Sequence, residues 1–552
     1  VKRVVDIMLD EEKWIHIYLT EKGPFDKTEK HYGLEYGITE YDTFDMNDEE
    51  YKNALESMRW PFESGGSNEI EYESIYGNGL AEPESIIGKT LILDNIRKYE
   101  YEELKRDAEE YIKRNYGKIA AGDGQLEIIA LEEVDEKVFS CGLKNLYGEL
   151  RYVVNREFET KEIILYISVE TDENSGEIDR TTKCCTHFSG FSTEFMDKYK
   201  HEINILNINV SAFHDGITLT FTASGTSPGV YAFAEIFFRE YKNSSTKCTE
   251  SFIDSARCRT ENGYSSLLKS TPPYMVLTAE ISRRLANFGF KTRELIESVR
   301  KIKNTDELVK TEKGYIRFML LGNGNFGECV ELYKRIRGNV SGKKMTRKRI
   351  YPVDENGKWI EGGKSENINE VIYAETEDEN NNAVGIFQDL GPSLDKEMSS
   401  MTILVNMMMG SKFFEQLRTK ECLGYVVSMA VGCLDNARVM YYIVQGEGKA
   451  EDVQERIERF IKESYEMVEG ISEEQYGDYV NSAAESVKIT GKDLGPYFFE
   501  ILTQWLQVGF DFRRRDEVSS IIRGIKKEEV LEFLKKEHKK LVVYAVHDSK
   551  RR

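Results

Sequence analysis

Apolar and polar residues alternate along this chain with two periods, and the points where one gives way to the other mark its elements. Between residues 411 and 427 the change is abrupt. Phe413, Phe414, Leu417 and, one turn on, Cys422 fall near helical spacing, with Arg418, Lys420 and Glu421 polar between them. Gly424 is expected to stop that helix, because glycine takes a left-handed cap without strain. Tyr425, Val426 and Val427 then have the aromatic and β-branched character of a strand. Arg418 and Tyr425 are thereby set at one helix-to-strand corner. A guanidinium fork and a phenol are donors suited to a carbonyl oxygen that gains charge during acyl transfer; the same residues also serve as a helix cap and a core edge.

Elsewhere the pattern predicts a strand-like run over residues 14–19, a helix over 99–114, and strands near 126–130, 151–154 and 163–169. Strands over 205–213 and 217–223 meet at His214-Asp215-Gly216, a hairpin turn signal. Helices follow over 230–241, 273–287 and 292–301, then a strand over 315–321. The same order returns about 220 residues later, with strands over 425–431 and 438–445 and a helix over 450–467. Pro273-Tyr274 and Phe288-Gly289-Phe290 are echoed by Pro496-Tyr497 and Val508-Gly509-Phe510, and strand 315–321 by 541–546. The recurrence predicts an α+β fold of two homologous domains in tandem, residues 79–338 and 339–552, each an antiparallel sheet covered on one face by helices. Residues 44–78, acidic and then bearing Gly65-Gly66-Ser67, read as a linker.

Composition narrows the function. With 97 acidic against 75 basic residues in 552, a net charge of −22 argues against a nucleic-acid binder. The basic runs at 343–349, 513–515 and 535–540 read as solvated faces. No apolar run reaches the ~18 residues of a membrane span. Eight cysteines, with no Cys-x-x-Cys pair and Cys184 next to Cys185, do not form a disulfide framework and fit a reducing, cytoplasmic compartment. The first residue is Val, without a signal-peptide pattern, so a fragment or processed product is expected.

Three motifs are decoys. Gly225-Thr226-Ser227-Pro228-Gly229 has the form of a nucleophile elbow, but Pro228 has no N–H for the oxyanion hole; Ser227 as N-cap with Pro228 next explains it. Gly322-Asn323-Gly324-Asn325-Phe326-Gly327 resembles a dinucleotide loop, but the acidic ribose partner expected ~20 residues on is replaced by Lys343-Lys344. Gly362-Gly363-Lys364-Ser365 ends like a phosphate loop, with its earlier glycine misplaced.

Phe413 to Val427 resembles the signature in the C-terminal half of the insulysin/pitrilysin family of inverzincin zinc metallopeptidases. Cys422 departs from it, since the family usually has Gln there. The segment 27–36 is similar to the one closing the family's second domain, which would make residues 1–43 the tail of a preceding domain. The resemblance implies four such domains around a closed chamber, with zinc on His-x-x-Glu-His in the N-terminal half. The seven histidines here, His16, His31, His187, His201, His214, His538 and His547, offer no such pair, so zinc would belong to the complete enzyme and not to this chain. It further implies that Tyr425 donates its hydroxyl towards the scissile carbonyl, Arg418 holds a substrate carbonyl and Phe414 lines the pocket. The partners would be peptide substrates and an N-terminal catalytic half, covalent or separate; a homodimer is compatible. A catalytically inactive homologue acting as a peptide-binding or scaffolding subunit is the alternative. Cys422 is expected to be buried and inert; an accessible thiol beside Arg418 would make the activity oxidation-sensitive.

Overall fold

The computed structural model describes residues 27–28, 35–36, 97–116, 126–170, 177–244, 248–286, 289–303, 308–310, 314–340, 350–351, 371–489, 491–507, 509–547 and 549. The run 14–19, the linker 44–78, the basic run 343–349 and Gly362–Ser365 lie outside them. The chain divides into two compact units, residues 1–82 and 83–552. In the first, β1 (Lys27–Thr28) pairs antiparallel with β2 (Glu35–Tyr36). Everything that follows belongs to the second.

That unit opens with α1 (Tyr101–Tyr116), β3 (Glu127–Val134), β4 (Val138–Asn145), β5 (Gly148–Asn155) and β6 (Glu162–Glu170). Next come α2 (Ile178–Ile205), β7 (Asn209–His214), β8 (Thr218–Thr226), α3 (Ser227–Asn243), α4 (Glu250–Ser270), α5 (Pro273–Ala286), α6 (Thr292–Arg300), β9 (Tyr315–Gly322) and α7 (Phe326–Val340). The second sheet takes β10 (Val371–Glu375), β11 (Asn382–Pro392), α8 (Lys396–Phe414), β12 (Val426–Leu434), β13 (Ala437–Gly446) and α9 (Ala450–Glu469). It ends with α10 (Glu473–Lys488), α11 (Leu494–Gln507), α12 (Arg514–Gly524), α13 (Lys527–Lys535) and β14 (Lys539–Val546). Ile205, expected in a strand, closes a 28-residue helix instead. Ser189, Gly190 and Ser192 interrupt its apolar stripe, which hid the helix from a periodicity reading.

Two sheets result. The first runs β3-β4-β5-β9-β6-β8-β7 and the second β10-β14-β11-β13-β12. The α+β expectation holds, with one refinement: β5 lies parallel to β9 and β10 parallel to β14, while the other neighbours are antiparallel.

The expectation of helices on one face needs correction, because both faces of each sheet are covered. On β6, Ile163, Leu165, Ile167 and Val169 face a core shared with Phe191 of α2, Phe237 of α3 and Tyr333 of α7. Ile164 and Tyr166, pointing the other way, pack with Val153, Met319 and Leu321 against Tyr497, Phe498, Ile501, Leu502 and Trp505 of α11. In the second sheet Val384, Ile386, Tyr442 and Val444 face Met408 and Phe413 of α8 and Phe460 of α9. Its opposite face, with Ala383, Phe387, Ile443, Leu541 and Val543, packs on Leu277 and Ile281 of α5. Each sheet therefore receives on its second face a helix that lies in sequence between strands of the other. Burial on both faces explains the unbroken apolar runs of β6, β9 and β14, which a half-exposed sheet would not need.

Candidate active site

α8 starts at Asp395, whose carboxylate accepts the Met398 N–H at 2.9 Å as an N-cap. Leu404, Val405, Met408, Met409 and Phe413 bury its inner face. At Phe414 the helix widens into a π-helical turn, Glu415–Lys420, closed by the Glu421 N–H on the Gln416 carbonyl at 3.0 Å. Such π-turns recur at functional sites because the extra residue shifts the side chains beyond it.

The end of the helix differs from expectation. The left-handed residue is Cys422, at φ 53°, and Gly424 serves another purpose. A Cβ on Gly424 would stand 2.1 Å from the Gln445 carbonyl oxygen, and one on Gly446 2.4 Å from the Leu423 oxygen. Two chain segments cross here at a distance only glycines permit. Projecting outward from its left-handed position, Cys422 is exposed, which overturns the expected burial.

The crossing delivers Tyr425 to the surface, 52% exposed. Its N–H donates to the Gln445 carbonyl at 3.1 Å. Its hydroxyl accepts from Nε2 of Gln445. Arg418, also exposed, lays its guanidinium 5.0 Å over the ring of Phe414, itself 42% exposed, one turn back. Among the described residues, Arg418 has no carboxylate or hydrogen-bond partner, so its fork is available. The charges around it are spoken for. Lys420 pairs with Glu415 at 3.1 Å, and Arg456 of α9 grips Glu421 through two bonds of 2.6 Å. The Arg456 guanidinium, with a further bond from Gln416, holds the Glu421 carboxyl below its ordinary range. The structure thus stacks Arg418 on Phe414 and holds Tyr425 separately through Gln445, beyond the same turn.

Sequence reading missed Gln445, Gly446 and Arg456. A signal existed for Gln445: a carboxamide closes the run Met440-Tyr441-Tyr442-Ile443-Val444, in a strand buried on both faces.

The decoys resolve into structure. Thr226, not Ser227, is the N-cap residue of α3, and Pro228 lies in its first turn. In the glycine loop Asn323 exchanges two bonds with the Tyr99 main chain, at 2.9 and 2.7 Å, and the Gly324 carbonyl accepts the Tyr152 hydroxyl at 2.7 Å. The loop is occupied by its own chain.

Among the described residues no group of three or more His, Cys, Asp or Glu side chains could hold a metal ion. Cys184 Sγ lies 3.4 Å from His214 Nε2, but burial pushes that imidazole down to about 3. His201 lies exposed on α2. The described residues do not fit a zinc centre.

A family model described as PQQ synthase PqqF-like, C-terminal lobe domain 4, matches residues 404–496, which include Phe414, Arg418 and Tyr425. The insulin-degrading enzyme of Drosophila melanogaster is 26% identical over 140 residues, 25% of this chain and 14% of that protein. The human enzyme is 28% identical over 126 residues, 22% of this chain and 12% of that protein. The curated relatives are matched over only 12% to 18% of their own length. Among solved structures, pitrilysin superposes with a TM-score of 0.62 at 14% identity, over 78% of this chain and 45% of that one. A peptidase M16 inactive domain from Pseudomonas fluorescens gives 0.51 at 11% identity, over 77% of this chain and 98% of that one. The chain is a homologue of the insulin-degrading enzymes, with a pitrilysin-type fold and a match to a C-terminal-lobe domain of that kind.

Proposed function

We propose that the chain is the C-terminal half of an insulysin-like zinc metalloendopeptidase that encloses and degrades peptides. The observation that carries this reading is an exposed Tyr425 phenol beyond the same turn as an Arg418 fork that has no ion-pair or hydrogen-bond partner among the described residues, in a chain whose acidic excess would be expected to claim a spare guanidinium. Arg418 would take a substrate main-chain carbonyl in its fork, and the ring of Phe414 would support the guanidinium and line the adjoining pocket. Tyr425 would donate its hydroxyl to the scissile carbonyl oxygen as charge develops there. Zinc and the glutamate base would reside in an N-terminal half, covalent or separate. We also propose a reducing, cytoplasmic setting, which a chain of eight cysteines without a Cys-x-x-Cys pair would suit.

Cleavage of a quenched fluorogenic peptide tests this. The chain alone should cut nothing, and combination with an N-terminal half carrying His-x-x-Glu-His should give activity. Tyr425→Phe should then lower kcat by about 10²–10³-fold, as loss of an oxyanion donor does. Cleavage by the chain alone would overturn the proposal. A second reading, a catalytically inactive peptide-binding or scaffolding subunit, is favoured by the likeness to the Pseudomonas inactive domain; it predicts peptide binding with no cleavage in either condition.

A further inference from the structure

Gln445 is 1% exposed, a costly place for a carboxamide unless every polar atom is used. Its main-chain carbonyl takes the Tyr425 N–H at 3.1 Å. Its Oε1 accepts the N–H of Tyr274, in the first turn of α5, at 2.9 Å. Its Nε2 reaches the Tyr425 hydroxyl. The orientation of the carboxamide is dictated by chemistry, since a backbone N–H can only donate. Tyr274 therefore fixes Oε1 on its own side and turns Nε2 towards Tyr425. A carboxamide nitrogen in turn can only donate, so the phenolic oxygen must accept. The one proton of that hydroxyl is then turned away from Gln445, on a phenol that is half exposed.

We propose that Gln445 is the positioning residue for Tyr425, and that the N-terminus of α5 sets, through it, which way the candidate catalytic hydroxyl donates. The inference rests on the role proposed for Tyr425. It explains why a polar side chain stands in the buried end of β13, and it couples the corner to a helix that lies in sequence between strands of the other sheet. Were the hydroxyl free to turn, its proton would be shared between protein and solvent, and the donor would be only partly available to substrate.

The near-isosteric Gln445→Glu reverses the polarity. An ionised carboxylate accepts from both Tyr274 N–H and Tyr425 O–H, drawing the phenolic proton inward. A protonated carboxyl donates to the phenolic oxygen again and releases that proton outward. The ladder partners of position 445 are Val426 on β12 and Ala383 on β11, which do not titrate. The titratable group facing it is the phenol of Tyr425, just before β12; Tyr274 of α5 meets it through its main-chain N–H. Glu447, exposed, stands two positions on, just past the end of β13, and Glu280, Arg283 and Arg284 lie at least six residues, about 9 Å, along α5 from Tyr274.

The experiment measures kcat and KM against pH in the complete enzyme for wild type, Tyr425→Phe, Gln445→Glu and Gln445→Met. The expected result for Gln445→Glu at neutral pH is a kcat loss of roughly tenfold to a hundredfold with little change in KM, the range seen for outer-shell partners. Its kcat relative to wild type should rise as the pH falls and the introduced carboxyl protonates. Gln445→Met, uncharged and of similar length, guards against misfolding caused by the buried charge; it should lose kcat by a constant ratio at every pH. If Tyr425→Phe is impaired while both Gln445 variants keep wild-type kcat, the inference is overturned and the role of Tyr425 stands. A Gln445→Glu loss that does not respond to pH also overturns it. If Tyr425→Phe itself keeps wild-type kcat, the proposed function fails, and the inference with it.

Discussion

The two sheets carry the same corner, equipped differently. Strands β5, β9, β6, β8 and β7 repeat the order and directions of β10, β14, β11, β13 and β12. In both, a long helix ends at a left-handed residue, Asn207 at φ 49° in the first and Cys422 at φ 53° in the second. In both, a glycine on the neighbouring strand end admits the returning chain. A Cβ on Gly225 would meet the Asn207 oxygen at 3.2 Å, as one on Gly446 would meet Leu423. From there the corners diverge. One residue, Ile208, separates Asn207 from β7, and it is buried at 4% exposure. Leu423, Gly424 and Tyr425 separate Cys422 from β12. The longer connection and the π-turn before it lift Tyr425 out of the core, while the shorter one tucks Ile208 in. The fold supplies a corner; two added residues make it a candidate site.

What the two sheets share most strongly is the exchange of α5 and α11, and breaking it should give the largest effect. Phe498 of α11 is fully buried against the first sheet and Leu277 of α5 against the second. Phe498→Ala is expected to cost about 3–5 kcal/mol and Leu277→Ala about 2–5 kcal/mol, the range for large-to-small changes in a core. Hydrogen exchange gives the decisive readout. Phe498→Ala should release amides of β6 and β9, and Leu277→Ala those of β11 and β14. Loss of protection confined to the sheet nearest in sequence would refute the exchange.

The glycine crossing ranks next. Gly424→Ala sets a methyl against a main-chain oxygen that cannot move aside, and is expected to destabilise by about 3 kcal/mol. Gly446→Ala should behave alike in urea unfolding. Gly263→Ala, at a helical position with open space around the added methyl, is the control and should stabilise slightly. If Gly424→Ala is tolerated, Gly424 is not what lets Tyr425 approach Gln445.

The repeat, the hairpin at His214–Gly216 and the corner itself were legible because each rests on local rules: strand alternation, turn residues and helical spacing. The repeat was legible even in backbone detail, since the echoed Gly289 and Gly509 share φ near 95°. The helix exchange was not, because Leu277 and Phe498 have the same apolar pattern whichever sheet they cover. Cys422 and Gly424 were misread for a related reason. Glycine can serve either a positive φ or a close approach, and the residue names alone do not distinguish them. Gln445 acquires its meaning only when Tyr274, 171 positions away in sequence, is brought against it.

The clamp on Glu421 sharpens the comparison through pH. Its carboxyl is held below the ordinary value of 4.5 by Arg456. The folded state therefore binds this proton less readily than the unfolded state. The stabilisation is fully present above about pH 4.5 and fades as the pH falls through the lower folded value. Arg456→Met should cost about 2 kcal/mol at neutral pH, the scale of a charged hydrogen-bonded pair, with a difference from wild type that shrinks in acid. A penalty that persists unchanged when Glu421 is protonated would mean that Arg456 acts by packing alone.

The smallest effect compares the two left-handed residues themselves. A side chain in that conformation costs about 1–2 kcal/mol, less for asparagine, whose short amide bonds locally. Glycine removes the cost but returns about 0.5–1 kcal/mol as unfolded-chain entropy. Cys422→Gly should therefore stabilise by roughly 0.5–1 kcal/mol and Asn207→Gly by close to nothing, both read from urea midpoints. If the proposed function holds, peptide cleavage should survive Cys422→Gly, because Tyr425 is held by Gln445 and not by the thiol. If the variant is instead less stable, the Cys422 side chain holds the corner, which tolerates its strain for a contact that the corner at Asn207 lacks.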